Sequence, residues 1–254
     1  MTEPGSKTID LNADMGERSM HIADDIALLQ FVTSTSIACG GHAGDEATAR
    51  TLIQHADRLS RNVGAHPSYP DRANFGRSRL DISISALHAC LCEQLACLMQ
   101  IAHDEGAQLR HVKPHGALYH AASDDLDVAD AIARAVQDTD PSLRLVAAAG
   151  SLALAHWRAQ GQAVAAEGFA DRTYEPTGLL RSRTHDDALL DDPDAAAHQA
   201  LAIARDHIVT AYDGTTIPLA CQTICIHSDT PNALAIARAV RATLEAHTIT
   251  VAPF

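Results

Sequence analysis

Lys113-Pro114 and His66-Pro67 each close a short apolar run with a basic side chain followed by a proline, and Glu167 closes a third run with a carboxylate. In Arg110-His-Val-Lys-Pro-His115, strand geometry sends His111 and Lys113 to one face and Val112 to the other. Pro114 cannot donate to a ladder, so the strand stops there and presents Lys113 and His115 at its carboxyl end. A lysine within an apolar strand is costly unless it is paired or employed. The same alternation in Ile9-Asp-Leu-Asn-Ala-Asp14 puts Asp10 and Asn12 on one face and Ile9 and Leu11 on the other, with Asp14 near the rim. Asp10 or Asp14 is therefore the expected partner of Lys113. Such a pair can hold a substrate carboxylate or phosphate, or tune a general base.

Other strand ends carry similar chemistry. Cys39-Gly-Gly-His-Ala-Gly-Asp45 is a glycine-rich strand-to-helix turn whose amides suit an anion or a developing oxyanion, and Asp45 can cap the helix. His42 in this turn reads more readily as a polar loop residue than as a ligand. His66 ends Val63-Gly-Ala-His66, before a loop with Ser68, Tyr69, Asp71, Arg72 and Arg77. Glu167 is followed by Asp171 and Arg172, then by Arg181 and Arg183, which can reach over a mouth; His227 and Asp229 follow a later strand. One strand-end histidine is easily a structural residue, but similar endings on five or six units point to a shared active site. The catalytic candidates are Asp14, His66, Lys113 and His115. The substrate-binding candidates are Asp10, Asn12, His42, Glu167, Asp171 and Arg172. Asp14, His42, His66 and His115 have the chemistry of metal ligands, as a metal-dependent hydrolase or deacetylase would need. Zinc-like spacing within one motif is absent, so no metal is assigned.

The elements that must position these groups alternate along the whole chain. Strands are predicted at Lys7–Asn12, Ser36–Cys39, Val63–Ala65, Leu109–Lys113, Leu143–Ala147, Ala163–Glu167, Thr223–Ile226 and Thr248–Val251, with a weaker strand or hairpin over Ile208–Pro218 and a polar turn over Ala13–Arg18. Helix starts are predicted at Asp45, Ser85, Asp124, Ser151, Asp192-Pro193 and Thr230-Pro231. No linker or repeat divides residues 1–254, which favours one α/β domain and a closed or partly closed parallel barrel. The connections after Ala65 and Glu167 exceed ordinary loop lengths, as binding loops and lids do. No nucleotide-cradling glycine loop follows the first strand.

The length of 254 residues is close to the ~250 of a (β/α) barrel. With 46% hydrophobic but only 4% aromatic residues, Ala, Leu, Ile and Val must fill the core. A net charge of −13 argues against nucleic acid or an anionic membrane as the main partner. Nothing resembles a transmembrane span, and the polar start Met1-Thr-Glu-Pro-Gly-Ser-Lys7 lacks the apolar core of a signal peptide. Six cysteines without framework spacing read as reduced, mostly buried thiols, and the location expected is cytoplasmic.

Seven segments in order resemble the LamB/YcsF family: Asp10-Leu-Asn-Ala-Asp-Met-Gly-Glu17, Ile37-Ala-Cys-Gly-Gly-His-Ala-Gly-Asp45, Gly64-Ala-His-Pro-Ser-Tyr-Pro-Asp71, Phe75-Gly-Arg77, His111-Val-Lys-Pro-His-Gly-Ala-Leu-Tyr119, Phe169-Ala-Asp-Arg-Thr-Tyr174 and Ile226-His-Ser-Asp229. The resemblance spans Ile9 to about Val251. It implies a distorted TIM-like (β/α) barrel of the glycoside-hydrolase/deacetylase type with seven strands. It also implies ATP-coupled opening of 5-oxo-L-proline to L-glutamate as the A subunit of a 5-oxoprolinase, with ATP and its Mg2+ as co-substrate and separate B and C subunits as partners. A non-catalytic, substrate-delivering subunit is the alternative outside catalysis. Departures from the family pattern are local: Gly41 stands in place of an aromatic, Asn74 and Ser228 in place of glycines, and His120 in place of an asparagine. Gly41 is expected to loosen the wall beside His42.

Overall fold

Short runs rich in small and β-branched residues form the strands, two of which stop just before Pro67 and Lys113-Pro114. The computed structural model describes residues 7–254; the polar start before Lys7, read above for a signal peptide, lies outside the described residues. In chain order the strands are β1 (Thr8–Met15), β2 (Ser34–Ala38), β3 (Asn62–His66), β4 (Leu109–Val112), β5 (Arg144–Ala148), β6 (Val164–Phe169), β7 (Ile208–Thr210), β8 (Thr216–Pro218), β9 (Thr223–Cys225) and β10 (Thr250–Val251). β1 to β6 and β9 pair in parallel, each with the next. The ring closes because β9 pairs with both β6 and β1, Ile224 standing opposite Gly168 on one side and Leu11 on the other. The barrel therefore has seven strands. β10 pairs with the start of β1, and β7 and β8 form the predicted hairpin outside the ring.

The helices are α1 (Ile22–Leu28), α2 (Glu46–Arg58), α3 (Ile84–Asp104), α4 (Gly116–Asp124), α5 (Leu126–Thr139), α6 (Leu152–Ala159), α7 (Pro193–Asp206) and α8 (Ala233–Ala246). Asp45, Ser151 and Asp192 cap α2, α6 and α7 as expected. Ser83, not Ser85, caps α3, accepting from Ala86 N at 3.2 Å. The single helix predicted from Asp124 is two: α4 begins directly after His115, and Asp125 ends it and caps α5. α8 begins at Ala233, because Asn232 takes a left-handed conformation (φ 62°) after Thr230-Pro231. α3 is long and apolar enough to cross a membrane by length and composition. Here its Leu87, Leu91, Leu95 and Leu98 are buried in the shell, where it packs on α5 and α2.

Apolar residues of the strands point outward to the helices, as Ile9, Leu11, Ala13, Met15, Val112 and Leu145 do in the buried core. Many of the inward positions are polar, with Gly64, Val146 and Ala165 among the exceptions. Asp10, Asn12, Ser34, Ser36, His111, Lys113, Glu167 and Thr223 are all buried. β1 continues three residues past the predicted end, pairing Ala13, Asp14 and Met15 with Thr35, Ser36 and Ile37. The alternation persists there because Asp14 meets a counter-charge inside the barrel and its two neighbours meet apolar helices. Gly64 makes room across the interior: a Cβ there would lie 2.2 Å from His111 Nε2, the atom that meets Ser36 Oγ at 3.0 Å.

Candidate active site

Lys113 follows β4 immediately and points into the barrel. Its Nζ lies 2.7 Å from Glu167 Oε1 on β6 and 3.0 Å from Asp14 Oδ1 on β1. It also donates to Asn12 Oδ1 at 3.1 Å and to Cys225 Sγ at 3.2 Å. Burial opposes the ammonium, but Asp14 and Glu167 outweigh it and hold the Lys113 pKa well above its ordinary value. Asn12 donates in turn to Glu167 Oε1 (3.0 Å) and Thr223 Oγ1 (2.6 Å), and Tyr119 Oη donates to Glu167 Oε2 at 2.8 Å. Asp14 Oδ1 is the loose member: it is buried and close to Lys113, yet has no aligned hydrogen bond among the described residues. Asp10 lies a layer deeper. Burial raises its pKa to about 6, even though Thr33, Ser34 and Thr223 donate hydroxyls to it.

Beside this network, three histidines from different strand ends surround one carboxylate. Glu17 Oε1 is 2.9 Å from His115 Nδ1, 3.1 Å from His42 Nε2 and 3.6 Å from His66 Nε2. His66 Nε2 is 3.1 Å from His115 Nδ1 and 3.5 Å from Asp14 Oδ2, so His66 joins the two clusters. The far nitrogens meet main-chain carbonyls, His66 Nδ1 with Lys113 O at 2.7 Å and His115 Nε2 with Phe75 O at 2.9 Å. The rings of His42 and His115 stack at 3.6 Å between centroids. Burial pushes His66 down to about 3 and also lowers His42. Burial works against ionisation of Glu17, but His115 and His42 hold its carboxyl well below the usual range.

Above both clusters opens a cavity of about 410 Å³, with Asp14, Glu17, His66, Lys113 and His115 at its floor and Arg77, Arg172, Arg181 and Arg183 toward its rim. Arg183 is bidentate on Asp229 at 3.0 and 3.2 Å, and Arg77 reaches the same carboxylate at 2.5 Å. These guanidiniums, Arg183 foremost, overcome burial and depress Asp229 to about 2.

All four catalytic candidates thus line one cavity, Asp14 as part of the strand rather than a rim turn. Asn12 and Glu167 lie behind Lys113, and His42 lies behind His115. Asp171 is not turned to the cavity. Fully buried, it accepts from His227 N (2.9 Å), His227 Nδ1 (3.0 Å) and Thr230 Oγ1 (2.6 Å), and so orients His227, which does line the cavity. Arg172 lines the cavity but spends two of its bonds on the carbonyls of Ala188 (3.2 Å) and Arg181 (2.7 Å), tying down the long loop. The Gly40–Gly44 turn does not line it either. Arg72 reaches the carbonyls of Gly40 and Gly44, and Gln94 fills the space beside Gly41, bonding Ser68 N and O at 3.0 and 2.8 Å. A Cβ on Gly41 would lie 2.5 Å from Gln94 Oε1, so this wall is filled rather than loosened.

Glu17 is the main residue that sequence reasoning missed. The signal was present in Asp14-Met-Gly-Glu17: Gly16, at φ 76°, turns the chain so that a second carboxylate returns to the mouth two residues after the strand. Tyr119, the Arg77–Asp229–Arg183 bridge and the role of His227 were also missed.

Residues 9–254 match the model of the LamB/YcsF family. The chain is 50% identical over 246 residues to the A subunit of 5-oxoprolinase from Chloroflexus aggregans, covering 96% of this chain and 98% of that one. Among solved structures, a lactam utilization protein from Thermus thermophilus superposes with a TM-score of 0.90 at 37% identity, over 97% of this chain and 100% of that one. A family 4 carbohydrate esterase from Streptomyces lividans shares the fold alone, with a TM-score of 0.51 at 12% identity over 96% and 91% of the two chains.

Proposed function

The chain belongs to the LamB/YcsF family, and from that membership and the chemistry of its cavity we propose that it is the A subunit of a multi-subunit 5-oxoprolinase, opening 5-oxo-L-proline to L-glutamate with hydrolysis of ATP. One observation carries this reading: Asp14, His66, Lys113 and His115 converge on the floor of a cavity of about 410 Å³ whose rim bears four arginines. The substrate is a small anion with a neutral lactam ring. Its carboxylate suits the guanidiniums of Arg172 and Arg183, which leaves the ring facing the floor.

A lactam resists direct hydrolysis. Transfer of the γ-phosphoryl group of Mg2+-ATP to the lactam oxygen releases ADP and makes C5 electrophilic. Water then adds to C5, and the C–N bond breaks to give the free amine and an acyl phosphate. A second water releases phosphate and leaves glutamate. His66 is placed to take the proton of the attacking water: the Lys113 carbonyl holds its Nδ1–H, and Nε2 lies beside Asp14 at the cavity floor. Lys113 can meet the developing negative oxygen by exchanging Asp14, the partner to which it lacks an aligned hydrogen bond. ATP and the B and C subunits belong to the assembled enzyme in this proposal.

The test is ATP-dependent glutamate release from 5-oxoproline by the three-subunit enzyme, with each subunit omitted in turn and then with His66→Ala. Release should require this chain, and losing the base should slow it by about a hundred- to ten-thousand-fold. Full release without the chain, or release within a few-fold of wild type in a folded His66→Ala enzyme, defeats the assignment.

A further inference from the structure

The histidine cluster has a property that the hydrolytic reading does not use. His66 Nδ1 and His115 Nε2 each face a main-chain carbonyl, at 2.7 and 2.9 Å. A carbonyl only accepts, so each of those nitrogens carries its ring's proton. In the neutral imidazoles, His66 Nε2 and His115 Nδ1 are then both lone pairs, and they face one another at 3.1 Å. Glu17 Oε1, another acceptor, is 3.6 and 2.9 Å from them, and His42 Nε2 approaches the same oxygen at 3.1 Å. His42 Nδ1 is buried with no hydrogen-bond partner among the described residues, so in the empty site that ring's proton belongs on Nε2 toward Glu17, and a cation taking Nε2 would move it to the unopposed Nδ1. Three acceptors, His66 Nε2, His115 Nδ1 and Glu17 Oε1, thus converge where the low dielectric magnifies their repulsion.

A cation among them resolves the conflict, and the spacing is that of a ligand set. Atoms bound tetrahedrally at ~2.1 Å lie about 3.4 Å apart, and the four ligand atoms here lie within 4.8 Å of one another. Main-chain carbonyls on the far nitrogens are the groups that fix the tautomer of a metal-bound histidine. The charge around the cluster agrees: three carboxyl groups, Asp14, Glu17 and Glu167, face one ammonium, Lys113. We propose that Glu17, His42, His66 and His115 form a binding site for one divalent transition-metal ion, with zinc the best match to three imidazoles and a carboxylate. Such an ion would polarise a carbonyl oxygen or activate a water, and would occupy the His66 Nε2 lone pair, so with the ion bound His66 holds the metal and serves as a base only in the metal-free site. The site stands whether or not 5-oxoproline is the substrate.

The full chain, treated with chelator and dialysed, is titrated with Zn2+ by calorimetry and with Co2+ by its visible ligand-field absorption. One equivalent should bind with micromolar or tighter affinity and raise the melting temperature. Glu17→Gln and His66→Ala should each weaken binding by more than the roughly 100-fold lost when a group holding a ligand's far nitrogen is removed. His88→Ala should leave it unchanged, because His88, Cys92 and Asp138 form a separate surface set. Circular dichroism checks each fold, and Glu17→Gln, which preserves shape, decides the matter if His66→Ala does not fold. No saturable binding, as a proton shared between His66 and His115 would give, overturns the site. So does wild-type affinity in Glu17→Gln, or loss of the equivalent in His88→Ala. None of these readouts involves glutamate release, so failure of the 5-oxoprolinase reading and failure of this one are separable.

Discussion

The Lys113 side and the Glu17 side of the cavity floor are built from similar residues and meet at His66. Around Lys113 donors and acceptors alternate, with Asp14 Oδ1 the one oxygen held by charge alone: the ammonium serves Glu167, Asn12 and Cys225, Asn12 serves Glu167 and Thr223, and Tyr119 serves the second oxygen of Glu167. Around Glu17 acceptors face acceptors, because main-chain carbonyls have already claimed the protons of the His66 and His115 rings. A completed network stiffens a site, and breaking it exposes buried charge. An uncompleted one costs the fold something that a bound partner can return. The two sides should therefore respond in opposite ways to losing their central charge.

The largest expected effect is at Lys113. Lys113→Met leaves Asp14 and Glu167 buried without a cation, and removing one partner of a buried ion pair costs roughly 3–5 kcal/mol. Urea unfolding at neutral pH measures this, and a loss below about 1 kcal/mol would mean the network is no more than a surface-like pairing.

Asp10 tests how deep the completed side reaches, since it has hydroxyl donors but no cation. Its carboxyl is raised from 3.8 to about 6 in the folded protein, principally by burial. Between those values the folded state keeps a proton that the unfolded state has released. Asp10's contribution to stability must therefore fall as pH rises from about 4 to 6 and stay flat above, by about 3 kcal/mol in all. Subtracting the pH profile of Asp10→Asn isolates the effect, because Asp14, Glu17 and Asp25 titrate in both proteins. A flat difference profile would mean that the three hydroxyls fully solvate the carboxylate.

Tyr119→Phe should cost less, about 1.5–3 kcal/mol for a hydrogen bond to a charged group. Thermal or urea unfolding gives the value, and a neutral result would place Glu167 outside the completed network.

Much of this arrangement was legible in the chain. The strand ends at His66 and Lys113 could be read because prolines bound them, and a lysine inside a barrel demands a carboxylate; β6 instead runs two residues past the predicted end at Glu167, because Gly168 and Phe169 pair with Ile224 and Cys225. Other features depended on contacts that no local pattern carries. Asp14 belongs to β1 only because Lys113, about a hundred residues later, neutralises it; alone, Ala13–Arg18 reads as a turn. α4 was hidden because Gly116-Ala-Leu-Tyr-His-Ala-Ala-Ser-Asp124 starts on a left-handed glycine (φ 54°) and has little apolar periodicity. Asp171 read as a substrate-binding group, but the chain folds it under His227. Glu17 gained its role only when three strand ends brought His42, His66 and His115 around it, and the protons of the His66 and His115 rings are set by carbonyls that a sequence does not display.

The smallest expected effect is the sharpest test of the contrast. Glu17→Gln in metal-free protein removes a buried charge but supplies an NH2 group, which can donate to the facing lone pairs of His66 and His115. If the Glu17 side is overfilled with acceptors, the substitution should leave stability within about 0.5 kcal/mol of wild type or raise it, since replacing a conflicting group carries no desolvation penalty. Unfolding of chelator-treated wild type and variant in parallel measures the difference. A loss approaching that of Lys113→Met would show that Glu17 is held by an imidazolium as firmly as Asp14 and Glu167 are held by Lys113, and the two sides of the floor would then be alike.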